Sequence, residues 1–85
     1  MEKYIIKNDI WCCGTMVENL VWRKSFESVD SALEEIHRYI RDDIEEEVSL
    51  YEEKKADLVP GLKMVVAFNT DAATREWMEI WEIEV

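Results

Sequence analysis

The chain has 85 residues, of which 48% are hydrophobic, so its apolar volume suits one small folded domain and not a disordered chain. Its formal net charge is −10, from 20 acidic and 10 basic residues. A field of that sign repels nucleic acid and anionic membranes, so we expect direct binding to neither.

The first 26 residues predict two strands. Residues 3–7 predict a short strand, because β-favouring side chains are followed at once by turn chemistry. Residues 10–26 are compatible with a second strand or with a short helix that opens at the Thr15 to Glu18 capping-box spacing. We prefer a strand over residues 20–26.

The middle of the chain predicts one long helix. Ser28 can cap its N-terminus, and an apolar stripe then recurs at spacings of three and four residues. The members of the stripe are Val29, Leu33, Ile36, Ile40 and Ile44. Val48 and Tyr51 prolong the stripe, but Asp43 and Glu47 fall inside it, so a bend of the helix near Val48 is expected. Pro60 disfavours helical geometry just before it, so the helix should end by Leu58.

The last third of the chain predicts two more strands. Residues 62–68 are a nearly continuous apolar run, which is typical of a strand that is covered on both faces or central in its sheet. Beyond the turn, Trp77, Trp81, Ile83 and Val85 share one parity, and Glu76, Glu82 and Glu84 take the other. The sequence therefore predicts a single α+β domain of order ββαββ, with one long central helix packed on one face of an antiparallel sheet.

Residues capable of catalysis or metal binding are few. His37 is the only histidine and has no nucleophile at a suggestive spacing, so a packing or solvent-edge role is expected. Cys12 and Cys13 are adjacent, which suits neither an unstrained disulfide nor the spaced ligand pairs of a zinc site. We therefore expect no catalytic residue, no metal and no cofactor. A chain with this cysteine usage and no long apolar segment is expected in the cytoplasm.

An acidic block is the most distinctive feature of the sequence. Eleven carboxylates in residues 27–53 are opposed only by Arg38 and Arg41. The block proper consists of Asp42, Asp43, Glu45, Glu46, Glu47, Glu52 and Glu53. It lacks the spacing and the glycine of a calcium-binding loop. Such a block is either a solvated face or a surface that attracts a basic partner.

In size, acidity and α+β pattern, the chain resembles the small acidic proteins that bacteriophages and other mobile elements use against host defence, including anti-CRISPR inhibitors. The resemblance is carried by residues 42–53 and 76–84, covers the whole chain loosely and involves no motif. It implies an inhibitor that acts as a nucleic-acid decoy or as a plug on an effector's target-binding surface.

Two functional predictions follow from the sequence. The first is an acidic inhibitor that binds a basic nucleic-acid-handling protein, a CRISPR effector being one candidate, through the acidic block with an exposed Trp11 as an aromatic anchor. The alternative is an assembly domain that forms a homodimer through a sheet edge or an aromatic face, with the acidity serving solubility. Both leave the protein without enzymatic activity.

Overall fold

The described part of the chain forms one helix and five strands in a computed structural model, covering residues 3–44, 48–56, 60–70 and 76–85 apart from the side chain of Ser49. The elements are β1 (Ile5–Cys12), β2 (Thr15–Val21), α1 (Val29–Asp42), β3 (Val48–Lys55), β4 (Leu62–Thr70) and β5 (Trp77–Glu84). The strands form one antiparallel sheet in the spatial order β2-β1-β5-β4-β3. The predicted α+β class is confirmed, whereas the observed order is ββαβββ.

Strands β1 and β2 form a hairpin with different bounds from those predicted. Strand β1 continues through the expected turn at residues 8–9, and the chain reverses at Cys13 and Gly14, whose φ angles are 54° and 81°. Positive φ at both turn residues matches the right-handed twist of a two-residue hairpin. Strand β2 consequently begins at Thr15 and ends at Val21, so the predicted strand over residues 20–26 is largely wrong.

Helix α1 begins as predicted and ends much earlier. The Ser28 side chain accepts a hydrogen bond from the backbone N–H of Ser31 at 3.1 Å, which confirms the N-cap. The last helical residue is Asp42, and Asp43 is the C-cap. The carboxylates of Asp42 and Asp43 are destabilising at the negative end of the helix dipole. In a longer helix, Glu46 and Glu47 would follow them by four residues and would repel them.

The predicted C-terminal half of the long helix is in fact strand β3. Its backbone pairs with β4 from Val48 to Lys55, with a register shift between Ser49 and Glu52. The three-residue spacing of Val48 and Tyr51 fits the apolar stripe of a helix. Pairing with the antiparallel strand β4 instead provides hydrogen-bond partners for the backbone without the charge repulsion of a longer helix. The helix is therefore neither long nor central.

The hydrophobic core lies between α1 and one face of the sheet. Its buried members are Ile6, Phe26, Ala32, Ile36, Met64, Val66, Phe68, Trp81 and Ile83. Trp81 is almost completely buried, and its ring lies 5.3 Å from that of Trp22 and 5.0 Å from that of Tyr39. Aromatic packing of this kind supplies much of the core of a small domain.

The two C-terminal strands agree with the sequence. Strand β4 contains the predicted residues 62–68 and lies inside the sheet between β5 and β3. Strand β5 alternates as predicted, with Trp81 and Ile83 on the buried face. Glu79 shares that face and is 2% exposed, so the parity of the strand places one carboxylate in the core.

Candidate functional site

Strand β2 is the most exposed element of the sheet. All seven of its residues are exposed, including four large apolar side chains that keep between 41% and 57% of their accessible surface. These side chains are Met16, Val17, Leu20 and Val21. Among the described residues, β2 contributes none of the core cluster, because α1 packs against the central strand β5 and does not reach this edge.

The outer side of β2 also offers backbone hydrogen-bonding groups. Trp22 donates its backbone N–H to the carbonyl of Ile6 at 2.9 Å. Because alternate residues of an antiparallel strand turn toward the same neighbour, Leu20 also bonds to β1, whereas Asn19 and Val21 direct their N–H and C=O groups away from it. Strand β2 is the last strand on its side of the described sheet, so these groups can bond to another strand.

The opposite edge of the sheet, β3, is built differently. Its register shift lies at Leu50, which has a φ of 48° and is 78% exposed. Beyond it, Glu52 pairs with Lys54 at 2.7 Å, so charged side chains line the edge. A bulge and alternating charges are the features that natural sheets use against edge-to-edge pairing. Strand β2 also has a bulge, at Val17, where its register with β1 shifts, but it has only one charged residue, Glu18, and is therefore the less charged edge.

The face of the sheet away from α1 continues the apolar surface of β2. Trp11 lies opposite Met16 on one side and Met78 on the other, so the three side chains form a row across three strands. Trp11, predicted to be an exposed anchor, is half-buried in this row. Further along the same face, Lys7 and Glu84 form a salt bridge of 2.8 Å, so the apolar region is confined to one end.

The acidic block is only partly described, since Glu45, Glu46 and Glu47 lie outside the described residues. Asp42 pairs with Arg41 at 3.1 Å, and Glu52 pairs with Lys54. Asp43 is exposed at the end of α1. The described carboxylates of the block are thus interleaved with cations, and the structure does not gather them on one uniformly acidic face.

Glu53, the last residue of the block, joins β3 to α1. His37 Nε2 lies 2.5 Å from Glu53 Oε1 and 3.0 Å from Tyr51 Oη, and the Tyr51 hydroxyl also donates to Glu53. The hydrogen bonds from Tyr51 and His37 lower the pKa of Glu53. Burial and the neighbouring carboxylate raise the pKa of Tyr51. His37 therefore acts as a clamp between two elements, which extends the packing role expected of it.

A shallow groove beside α1 is lined by three cationic side chains, Lys24, Arg38 and Arg41. Glu35 lies between two of them: it accepts a hydrogen bond from Arg38 and stands 3.9 Å from Lys24. The cations of the groove are therefore already compensated within the protein, so the groove does not present a free anion site.

Sequence reasoning missed the buried polar contact of the core. Glu79 Oε1 accepts a hydrogen bond from Asn8 Nδ2 at 3.2 Å, and its second oxygen accepts from Trp77 Nε1 at 3.2 Å. The parity of Glu79 with Trp77 and Trp81 is the signal that could have revealed it. These bonds satisfy a carboxylate inside the core and join β1 to β5.

Cys12 is half-buried and Cys13 exposed, and neither forms a disulfide bond. Within the described residues, His, Cys, Asp and Glu side chains form no group of three that could hold a metal ion. The same part of the chain has no helix that is long and apolar enough to cross a membrane. No family model, curated protein or solved structure matches the chain.

Proposed function

We propose that this protein is a non-catalytic protein-binding domain and that the edge strand β2 is its contact surface. The observation that carries the proposal is the exposure of all seven residues of β2, four of which are large apolar side chains on an edge strand with a single charge. Exposed apolar residues are ordinary when single, but a contiguous group on an edge strand marks an interaction site.

Binding at this edge would use two components. Asn19 and Val21 offer backbone groups to an incoming strand, which sets its direction and register. Val17 and Val21, the most exposed apolar residues of β2, would lose water on binding and supply affinity. The half-buried row that contains Trp11 and Met16 extends the surface onto the open face of the sheet.

A matched pair of substitutions tests the proposal. Val21→Lys places a charge on β2, and Leu50→Lys places the same charge on the exposed, bulged strand β3. Immobilised wild-type protein is incubated with lysate of its source cell, and the retained proteins are identified by mass spectrometry. We expect Val21→Lys to lose specific partners that Leu50→Lys retains. If both variants retain the same partners, β2 is not the contact surface.

A second candidate function is the acidic inhibitor of a basic nucleic-acid-handling protein. Residues 27–85 hold 17 acidic and 6 basic residues, a net charge of −11, whereas residues 1–26 hold 3 and 4. The resemblance to phage anti-defence proteins supports this candidate, and so does this excess of negative charge, which would attract a basic partner. Reversal of Glu45 and Glu46 to lysine should weaken capture of basic nucleic-acid enzymes. If that variant captures the same enzymes equally well at ordinary ionic strength, the inhibitor candidate is contradicted.

A further inference from the structure

We infer that the strand completing the β2 edge belongs to a second copy of this chain, so that two copies form one continuous ten-stranded sheet. The inference rests on the proposed function of β2 and names its partner. Strand β2 exposes apolar side chains together with outward backbone N–H and C=O groups. An antiparallel copy of the same strand presents the same groups, so each copy can bind the other.

The charge distribution favours a second copy at this edge. Lys3, Lys7, Arg23 and Lys24 are opposed by Asp9 and Glu18 in the described residues up to Phe26, so the segment that contains β1 and β2 is not acidic. The excess negative charge follows in residues 27–85. A basic partner would be drawn to those residues and not to β2. Since Glu18 is the one charged residue of β2, two copies that meet at this strand face little direct charge repulsion there.

The sequence of β2 also suits pairing with itself. An antiparallel arrangement about a two-fold axis at Asn19 uses the regular stretch from Glu18 to Val21, beyond the bulge at Val17, and brings the outward backbone groups of the two Asn19 residues together. It places Glu18 opposite Leu20 of the second copy, within the part of β2 whose register with β1 is regular. The two Glu18 carboxylates are thereby kept from facing each other directly, which a register shifted by one residue toward Glu18 would not achieve.

The assembly closes at two copies. The axis is perpendicular to the sheet, so both α1 helices lie on the same face of the ten-stranded sheet. The outer edges are then the two β3 strands, where the bulge at Leu50 and the Glu52–Lys54 pair disfavour addition of a third copy. A finite dimer is therefore expected in place of a fibre.

Sedimentation velocity of the full chain over a range of concentrations tests the assembly. We expect a dimer for the wild type and for Leu50→Lys, and a dissociation constant raised roughly 100-fold or more for Val21→Lys. Val17→Lys provides a second variant should Val21→Lys fail to fold, which far-UV circular dichroism shows. A wild type that stays monomeric at every concentration, or a dimer that tolerates both lysine variants, overturns the inference.

Disulfide trapping tests the register. In a Cys12→Ala, Cys13→Ser background, Asn19→Cys places two thiols across the proposed axis, where the Cα atoms of a hydrogen-bonded pair are about 5.5 Å apart and within disulfide reach. Mild oxidation should give a covalent dimer with Asn19→Cys and none with Glu52→Cys on the other edge. Equal yields from the two variants contradict the register.

The two proposals fail in different ways. If the wild type is a monomer but Val21→Lys still loses captured proteins, β2 binds another protein and only the second-copy inference is wrong. If Val21→Lys changes neither the sedimentation nor the captured proteins, both the inference and the proposed function of β2 are wrong.

Discussion

Asn8 and Glu79 meet inside the core, where Asn8 Nδ2 donates to Glu79 Oε1 at 3.2 Å although the two residues lie near opposite ends of the chain. Trp77 donates to the other carboxylate oxygen. Since a buried carboxylate is tolerated only where donors satisfy it, the contact fixes the pairing of β1 with β5 in this arrangement.

We expect Glu79→Ala to lower the free energy of unfolding by about 2–4 kcal/mol, because it removes the acceptor of the buried Asn8 amide and the bond to the half-buried Trp77 indole. Glu79→Gln keeps an oxygen acceptor and should cost less. Urea denaturation measures both. Glu76→Ala, at an exposed position just before β5, serves as the control and should change stability by no more than about 0.5 kcal/mol. Equal effects of Glu76→Ala and Glu79→Ala would contradict a structural role of the buried contact.

The clamp between α1 and β3 makes stability depend on acidic pH. Tyr51 and His37 lower the pKa of Glu53, so folding favours its ionised form. The resulting stabilisation is present above the unfolded pKa near 4.5 and is lost as the pH falls through the lower folded pKa. Glu53→Gln should therefore destabilise the protein by less than about 1 kcal/mol at pH 7, since the group is partly exposed, and by less still near pH 3. Thermal unfolding at the two pH values measures the difference, and an equal effect at both would contradict the clamp.

For Glu82 we expect the opposite dependence of stability on pH. Burial, followed by repulsion from Glu84 and Asp9, raises the pKa of Glu82. Its contribution to stability is therefore present at low pH and is lost as the pH rises through the folded pKa. Glu82→Gln should raise the midpoint of thermal unfolding at pH 7 and leave it unchanged near pH 3. Glu84→Gln should give no such gain, because the Glu84 carboxylate pairs with Lys7 at 2.8 Å.

The parts of the fold that follow from local chemistry could be predicted, and those that follow from a distant partner could not. Ser28 caps α1 through a bond to Ser31 in the same turn, so the start of the helix is visible in the sequence. Strand β3 exists because β4 pairs with it. The spacing of Val48 and Tyr51 continues the apolar stripe of the preceding helix, so the sequence alone favours a helix where the structure has a strand.

In the candidate site, too, the local features could be predicted from the sequence and the long-range ones could not. The apolar character of Val17, Leu20 and Val21 is evident in the sequence, and it normally predicts burial. Leu20 is exposed because α1 packs over β5 and leaves the edge uncovered, and Val21 is exposed because it lies beside Lys7 on the face away from α1. The hairpin turn is also non-obvious, because Gly14 signals a turn but Cys13 adopts a positive φ without being a glycine. Sequence reasoning therefore suggests an exposed edge as an alternative without identifying which strand provides it.

The N-cap of α1 gives a local stability prediction. Ser28→Ala removes the acceptor of the Ser31 N–H at 3.1 Å and should cost about 1 kcal/mol of unfolding free energy. Ser25→Ala, at an exposed position before the helix, is the control. Chemical denaturation with circular dichroism at 222 nm measures both. A loss no larger than that of the control would show that the cap does not hold the helix start in solution.

Ionic strength separates the two proposed contact surfaces. Association at β2 buries apolar groups on a part of the molecule that carries little net charge, so added salt should leave the dissociation constant of the dimer unchanged or lower it. Binding of a basic protein to the acidic region should instead weaken steeply, because salt screens exposed charges within about 10 Å at 0.1 M and 3 Å at 1 M. Sedimentation velocity from about 0.05 to about 0.5 M sodium chloride, over which the Debye length falls roughly threefold, distinguishes them. A dimer that dissociates as salt is added would be held by charge, and the apolar contact at Val17 and Val21 would then not be its basis.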